Sequence, residues 1–126
     1  MAKHFMVTGA ILAGLAVAFG AFGAHMLEDM VSADRLVTFE TGVKYQMYHA
    51  LALLVIGWIS REAPGTFNSV GYCFIAGILV FSGSLYILVL TDTGWLGAIT
   101  PIGGIAFIAG WILLAVKSIQ LNKEIS

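Results

Sequence analysis

Charge is scarce in this chain. Asp, Glu, Lys and Arg make up 10% of its 126 residues, 6 basic against 7 acidic, where a soluble domain carries about 25%. Disorder is excluded, because it needs low hydrophobicity and high net charge. A net charge of -1 without a basic block excludes nucleic-acid binding, which needs a clustered positive footprint. Cysteine is nearly absent. Cys73 stands alone, so an intramolecular disulfide and a cysteine metal site are both ruled out, and it reads as a small buried apolar side chain. No Asp, Glu, Lys or Arg sits in the middle of a long apolar run. Ion-coupled transporters and proton relays place an ionisable group there. Small multidrug exporters of similar length depend on a Glu embedded in their first helix. The first run here has no acid, which discounts that reading.

What is abundant is apolar. Hydrophobic residues reach 60%, and a chain this small has too much surface to hide them from water. Crossing ~30 Å of hydrocarbon takes about 20 apolar residues in a helix. Four stretches qualify or nearly do, at about 5–25, 45–60, 67–90 and 101–117. Barrel strands are disfavoured, since they alternate apolar and polar residues and these runs are apolar on every side. Lys3, the first run and Ala21-Phe22-Gly23 resemble a secretory signal, but ~20 apolar residues exceed the 7–15 of a signal core. The segment is therefore read as a retained span. The expected fold is an all-α membrane protein, an antiparallel four-helix transmembrane bundle in one domain over 1–126.

Lys and Arg near the span ends set orientation. The N-terminus, second loop and C-terminus carry Lys3, Arg61, Lys117 and Lys123, against Arg35 and Lys44 on the other side. Both termini are thus expected in the cytoplasm. Glu28, Asp29, Asp34, Glu40 and Asp92 would lie outside.

The connections carry helix signals. Ser32 is a predicted N-cap, and Asp34 follows in the first turn, where a helix start favours negative charge. Leu36, Phe39, Val43 and Met47 recur at helical spacing, and Glu40 and Lys44 stand in the favourable order. An amphipathic helix should begin near Ala33 and run into the second span. Arg61 to Thr66, with Pro64 and Gly65, reads as a tight turn. Thr100-Pro101 reads as an N-cap followed by Pro at the first helical position. Trp58, Trp95 and Trp111 suit membrane interfaces. Of 15 glycines, many lie in the runs. Gly9, Ala13, Ala16 and Gly20 mark one face of the first span, Ala10, Gly14 and Ala18 the next, and Gly103, Ala106 and Gly110 recur in the fourth. Small residues at such spacing let helices pack closely in lipid. Packing within one chain and packing between copies are not separable at this stage.

The remaining polar residues gather toward the expected outer ends of the runs. His25 closes the first. Tyr45, Gln46, Tyr48 and His49 open the second. Ser82, Ser84 and Tyr86 lie in the third, with Thr91 and Asp92 beyond, and Thr100 opens the fourth. Three readings compete. In the leading one, His25, Gln46, His49, Ser84 and Tyr86 form hydrogen bonds that hold the helices together. In the second, His25, Gln46, His49, Ser84, Tyr86, Asp92 and Thr100 form a binding or permeation site for a small polar ligand, with pH-sensitive histidines. In the third, His25 and His49 bind a metal with Asp92 or Glu40, but no HxxxH-type spacing supports it.

Four segments together resemble a known family. They are Gly20-Ala21-Phe22-Gly23-Ala24-His25, Tyr45-Gln46-Met47-Tyr48-His49-Ala50-Leu51-Ala52-Leu53-Leu54, Phe81-Ser82-Gly83-Ser84-Leu85-Tyr86, and Gly97-Ala98-Ile99-Thr100-Pro101-Ile102-Gly103-Gly104 with Gly110-Trp111. In this order they resemble the YgdD/YwdK family of small bacterial inner-membrane proteins. The resemblance implies four membrane helices and supplies no reaction, substrate or cofactor. The sequence thus points to a structural or accessory, self-associating membrane protein with lipids as partners. The alternative is a small transporter, channel or ligand-binding protein. Enzymatic activity is not expected, since no nucleophile with its base, metal motif or phosphate loop is visible.

Overall fold

The Ser32 hydroxyl accepts from Arg35 N–H at 3.3 Å, satisfying one of the orphan donors at a helix start. Asp34 follows in that first turn. From this cap a helix runs unbroken from Ala33 to Ile59. The computed structural model describes residues 1–125, with side chains described to Leu121, so the Lys123 side chain used in the orientation count lies outside it. Four long helices result: α1 (Ala2–His25), α2 (Ala33–Ile59), α3 (Asn68–Thr91) and α4 (Thr100–Ile125). No strand occurs among the described residues. Short single turns, Leu27–Asp29 and Gly94–Ala98, lie in the first and third connections.

Among the described residues, three stretches are long and apolar enough to cross a membrane: Ala2–His25, Asn68–Thr91 and Gly94–Leu121. Helix α2 differs because its first half carries Asp34, Arg35, Glu40 and Lys44. Glu40 and Lys44 do not pair. The ion pair within 4 Å among the described residues joins Arg35 Nε to Asp92 Oδ1, at 3.2 Å. The surface is inverted relative to a soluble protein, with Val17, Leu79, Ile105 and Trp95 all more than 60% exposed. Bilayer lipid, which is as apolar as these side chains, accommodates them.

The helices are antiparallel, and glycines set their spacing. A Cβ on Gly9 would lie 2.8 Å from Ala50 O, and one on Gly57 3.0 Å from Ala2 O, so α1 lies against α2 along its length. Gly77 seats Phe107, Gly110 seats Phe74, and Gly103 meets the Phe81 backbone, locking α3 to α4. This separates the two faces of α1. Gly9 and Ala16 face α2, whereas Ala10, Gly14 and Ala18 are exposed, with open space around Gly14.

Helix α3 contains a π-helical segment, Ile78–Ser82. Its i→i+5 bonds insert extra backbone and rotate the faces on either side. Below it, Asn68–Gly77 packs mainly on α4; above it, Gly83–Thr91 packs on α2. One helix thereby serves two neighbours. The main core lies in the lower half, around Phe5, Leu53, Ile56, Phe67, Val70, Phe74, Ile78 and Phe107. A smaller cluster of Leu27, Phe39, Leu88 and Val89 closes the upper end.

The ends are staggered. Gly23 packs on Phe39, so α2 begins about 9 Å beyond that contact, six residues at 1.5 Å each. Thr100 bonds Ser84, so α4 begins about 10 Å short of the end of α3 at Thr91. The expected second span of 45–60 is therefore extended: α2 accompanies α1 from Phe39 to Ile59.

Candidate functional site: hydrogen bonds across four helices

Gln46 is 2% exposed and lies at the middle of the bundle. Its Nε2 donates to Leu12 O of α1 at 2.8 Å. Its Oε1 accepts from the Tyr86 hydroxyl of α3 at 2.6 Å. The Leu12 carbonyl is already in the helical ladder and accepts this second bond on its free lone pair. One turn from Gln46, the fully buried Ser82 donates to Gly42 O of α2 at 2.7 Å. Gly42 leaves room for the Tyr86 ring, which would crowd any side chain there. Ser82 lies in the π segment, which turns its hydroxyl toward α2. The Ser84 and Thr100 hydroxyls meet at 2.6 Å and tie α3 to α4.

His49 completes the set on another side. Its ring stacks on Phe107 with centroids 3.6 Å apart and meets the edge of Phe74. Trp111 Nε1–H donates to His49 Nε2 at 3.0 Å, and His49 Nδ1 lies 2.7 Å from Tyr45 O. An indole N–H only donates and a carbonyl only accepts. His49 is therefore neutral, with its proton on Nδ1. The bond from Trp111 links α4 to α2.

The sequence reading grouped seven residues at one depth near the outer ends. The structure revises this. Gln46 and Tyr86 bond directly, Ser84 and Thr100 bond directly, and Asp92 pairs with Arg35 at the outer end. His49 lies ten residues from the end of α2 at Ile59 and sixteen from its start, so it sits toward the opposite half. The cause is the early start of α2, which carries Gln46 and His49 deeper than an opening at Tyr45 implies. His25 is exposed, with no side-chain bond among the described residues. Among the described residues, no three His, Cys, Asp or Glu side chains are placed to hold a metal. Thr100 acts across helices, onto Ser84, instead of capping α4. Trp111 reaches inward to His49 where the sequence suggested an interface anchor. Its signal was its chemistry: a partly buried indole N–H seeks a partner, and His49 is the acceptor facing it. Ser82 and Gly42 O lacked such a signal, because a π segment does not show in hydrophobic periodicity.

Two cavities lie beside this network on the outer half. One, of about 380 Å³, is walled by Phe19, Phe22, Phe39, Tyr86 and Leu90 and is wholly apolar. The other, of about 410 Å³, lies at the outer end beside Ser32, Arg35 and Asp92. Neither is lined by Gln46, Ser84, His49 or Thr100. Tyr86 walls the first cavity with its ring, while its hydroxyl is turned to Gln46.

Known proteins share this chain along most of its length. The family described as "Protein of unknown function (DUF423)" matches residues 19–104. A UPF0382 membrane protein of Staphylococcus aureus (strain bovine RF122 / ET3-1) is 51% identical over 118 residues, 94% of this chain and 97% of that protein. The UPF0382 membrane protein YwdK of Bacillus subtilis (strain 168) is 48% identical over 120 residues, 94% of this chain and 98% of its own. A Staphylococcus saprophyticus relative is 50% identical over 119 residues, covering 94% and 99%. No solved structure matches. The matched region contains all four motif segments up to Gly104, together with Gln46, His49, Tyr86 and Thr100. The chain therefore belongs to the DUF423, or UPF0382, family of membrane proteins, a family of unknown function.

Proposed function

We propose that this protein is a structural or accessory component of the bacterial cytoplasmic membrane, without enzymatic activity. It crosses the bilayer four times, with α2 as the second span and both termini in the cytoplasm. The carrying observation is the closed set of hydrogen bonds. Gln46, Ser82, Ser84, Tyr86, His49, Thr100 and Trp111 each bond to another of these residues or to a backbone carbonyl. A permeation path or polar-ligand site needs polar groups turned to a cavity; these are turned to other helices. Copies associate through the exposed Ala10, Gly14 and Ala18 face of α1, which no described residue covers. Small residues there permit the backbone approach that drives association in lipid.

Two measurements test the reading. Purified protein in liposomes should pass no small polar solute, and His49→Gln should lower bundle stability; a wild-type flux abolished in a stably folded His49→Gln variant refutes the structural role. Gly14→Leu should convert crosslinked dimers to monomers in membranes, and unchanged crosslinking removes the α1 interface. For topology, a cytoplasm-dependent reporter fused at the C-terminus should be active.

A further inference from the structure

The end of the bundle where α1 begins and α2 finishes carries two contiguous cavities. One, of about 340 Å³, runs beside α1 and is lined by Lys3, Met6, Val7, Arg61 and Ala2. The other, of about 350 Å³, includes Ser60, Pro64 and Gly65 and shares Ala2 and Arg61 with the first. Their chemistry is ordered along the helix axis. Lys3 and Arg61 stand at the end of the bundle. Met6 and Val7 lie one turn deeper and are exposed to the surroundings.

Three observations point to an occupant. Among the described residues, neither Lys3 nor Arg61 has an acidic partner within 4 Å, and the exposed Glu62 lines neither cavity. The Ser60 hydroxyl is buried without a hydrogen-bond partner, although its residue lines the second cavity. Buried hydroxyls are normally bonded, so this one is free to bond a group that enters the cavity. The apolar part of the first cavity, at Met6 and Val7, then lies one turn along α1 from Lys3. The opposite end of the bundle shows the contrast: Arg35 there is paired with Asp92, with Glu28 and Asp29 nearby in sequence.

We infer that the two cavities form one site for an anionic glycerophospholipid. The phosphate lies between Lys3, Arg61 and the Ser60 hydroxyl, and an acyl chain lies along Met6 and Val7. Arginine and lysine both donate charge-assisted bonds to phosphate oxygens, arginine as a fork. The site depends on this end of the bundle and stands whichever face of the membrane that end meets.

The test uses the full chain in neutral detergent, with dioleoyl phosphatidylglycerol, dioleoyl phosphatidylcholine and inorganic phosphate as probes. Native mass spectrometry counts bound lipid, and thermal unfolding reads stabilisation. Phosphatidylglycerol should be retained and should raise the melting temperature; phosphatidylcholine and inorganic phosphate should do neither. Lys3→Gln with Arg61→Gln should weaken phosphatidylglycerol about 25-fold, two charges at roughly fivefold each. Ser60→Ala should weaken it less, and Lys117→Gln, which lines neither cavity, should leave it unchanged. Equal retention of the two lipids overturns the inference. So does an equal loss in Lys117→Gln, which means diffuse surface charge, or equal stabilisation by inorganic phosphate, which means an ion site without lipid. Val7→Trp, placed on an exposed position, should block the acyl channel without touching the charges; full phosphatidylglycerol affinity in that variant also overturns it.

Discussion

Gly103 and Gly104 are neighbours in α4, and the structure gives them opposite responses to the same change. A Cβ on Gly103 meets the Phe81 backbone nitrogen and lies 2.8 Å from both Phe81 Cα and Cβ. Ordinary contact begins at 3.4 Å, so α3 and α4 must separate by at least roughly 0.6 Å, and by more to clear the Phe81 nitrogen, because backbone atoms cannot rotate away. The same separation lifts Phe107 from Gly77 and Phe74 from Gly110, the other close seats on this interface. A gap of ~0.5–1 Å forfeits a quarter to a half of the dispersion well for each contact. A Cβ on Gly104 has Phe81 Cδ2 at 3.9 Å as its nearest neighbour. Both changes gain the same helix propensity, about 0.8–1.0 kcal/mol. The difference between Gly103→Ala and Gly104→Ala therefore isolates the clash, at about 1–3 kcal/mol, or roughly five- to 140-fold in the unfolding constant. Reversible unfolding in mixed micelles by SDS titration, followed by far-UV circular dichroism, measures it. Gly104→Ala should match or exceed the parent, and Gly103→Ala should fall below it. Two variants within about 0.5 kcal/mol of each other, or the reverse order, refute the close approach of α3 and α4.

Further outcomes follow from the same geometry. Gln46→Leu should cost about 1–3 kcal/mol in the same titration, two interhelical bonds at ~0.6–1.7 kcal/mol each, and Tyr86→Phe should cost about half as much. Nitrogen-15 NMR of labelled His49 should show a protonated Nδ1 and an unprotonated Nε2, and Trp111→Phe should shift the Nε2 resonance; a protonated Nε2 in the parent chain contradicts the Trp111 bond. Asp92 holds φ 53°, the one positive φ among described non-glycine residues. Asp92→Gly relieves that conformation while losing an exposed ion pair worth about 0–1 kcal/mol, so its stability should stay near the parent. Asp92→Val should lose roughly 1–2 kcal/mol or more in the micelle titration, because a branched side chain resists the left-handed region.

Much of the fold was legible because lipid leaves few options. Apolar runs must be helices, and Ser32 with Asp34 marked the start of α2 to the residue. Thr100-Pro101 marked the start of α4 correctly, but Thr100 is the first helical residue and its hydroxyl bonds Ser84 of α3, a partner that only the packing supplies. The depth of Gln46 and His49 depends on how far α2 projects before meeting α1. That is fixed by the Gly23–Phe39 and Gly9–Ala50 contacts, which are properties of a pair of helices. The π segment was equally hidden, since it leaves an apolar run apolar while changing which residues face α2. Gln46, His49, Ser84, Tyr86 and Thr100 were singled out from the sequence, whereas His25 makes no side-chain bond among the described residues and Trp111 joins from outside that group. Their division into a Gln46–Tyr86 pair, a Ser84–Thr100 pair and a His49–Trp111 pair required the packing.

The late start of α4 has a consequence for the surrounding bilayer. On the α1 side the chain presents 24 residues of helix, about 36 Å along the axis. On the α4 side the helix begins level with Ser84, about 10 Å short of the end of α3, and the Gly94–Ala98 turn with the exposed Trp95 fills the step. At that end of the bundle the two flanks therefore present helix to different heights. Lipids meet that mismatch by compressing beside α4, or the whole protein meets it by tilting. Either response gives the molecule a preferred azimuth in the membrane.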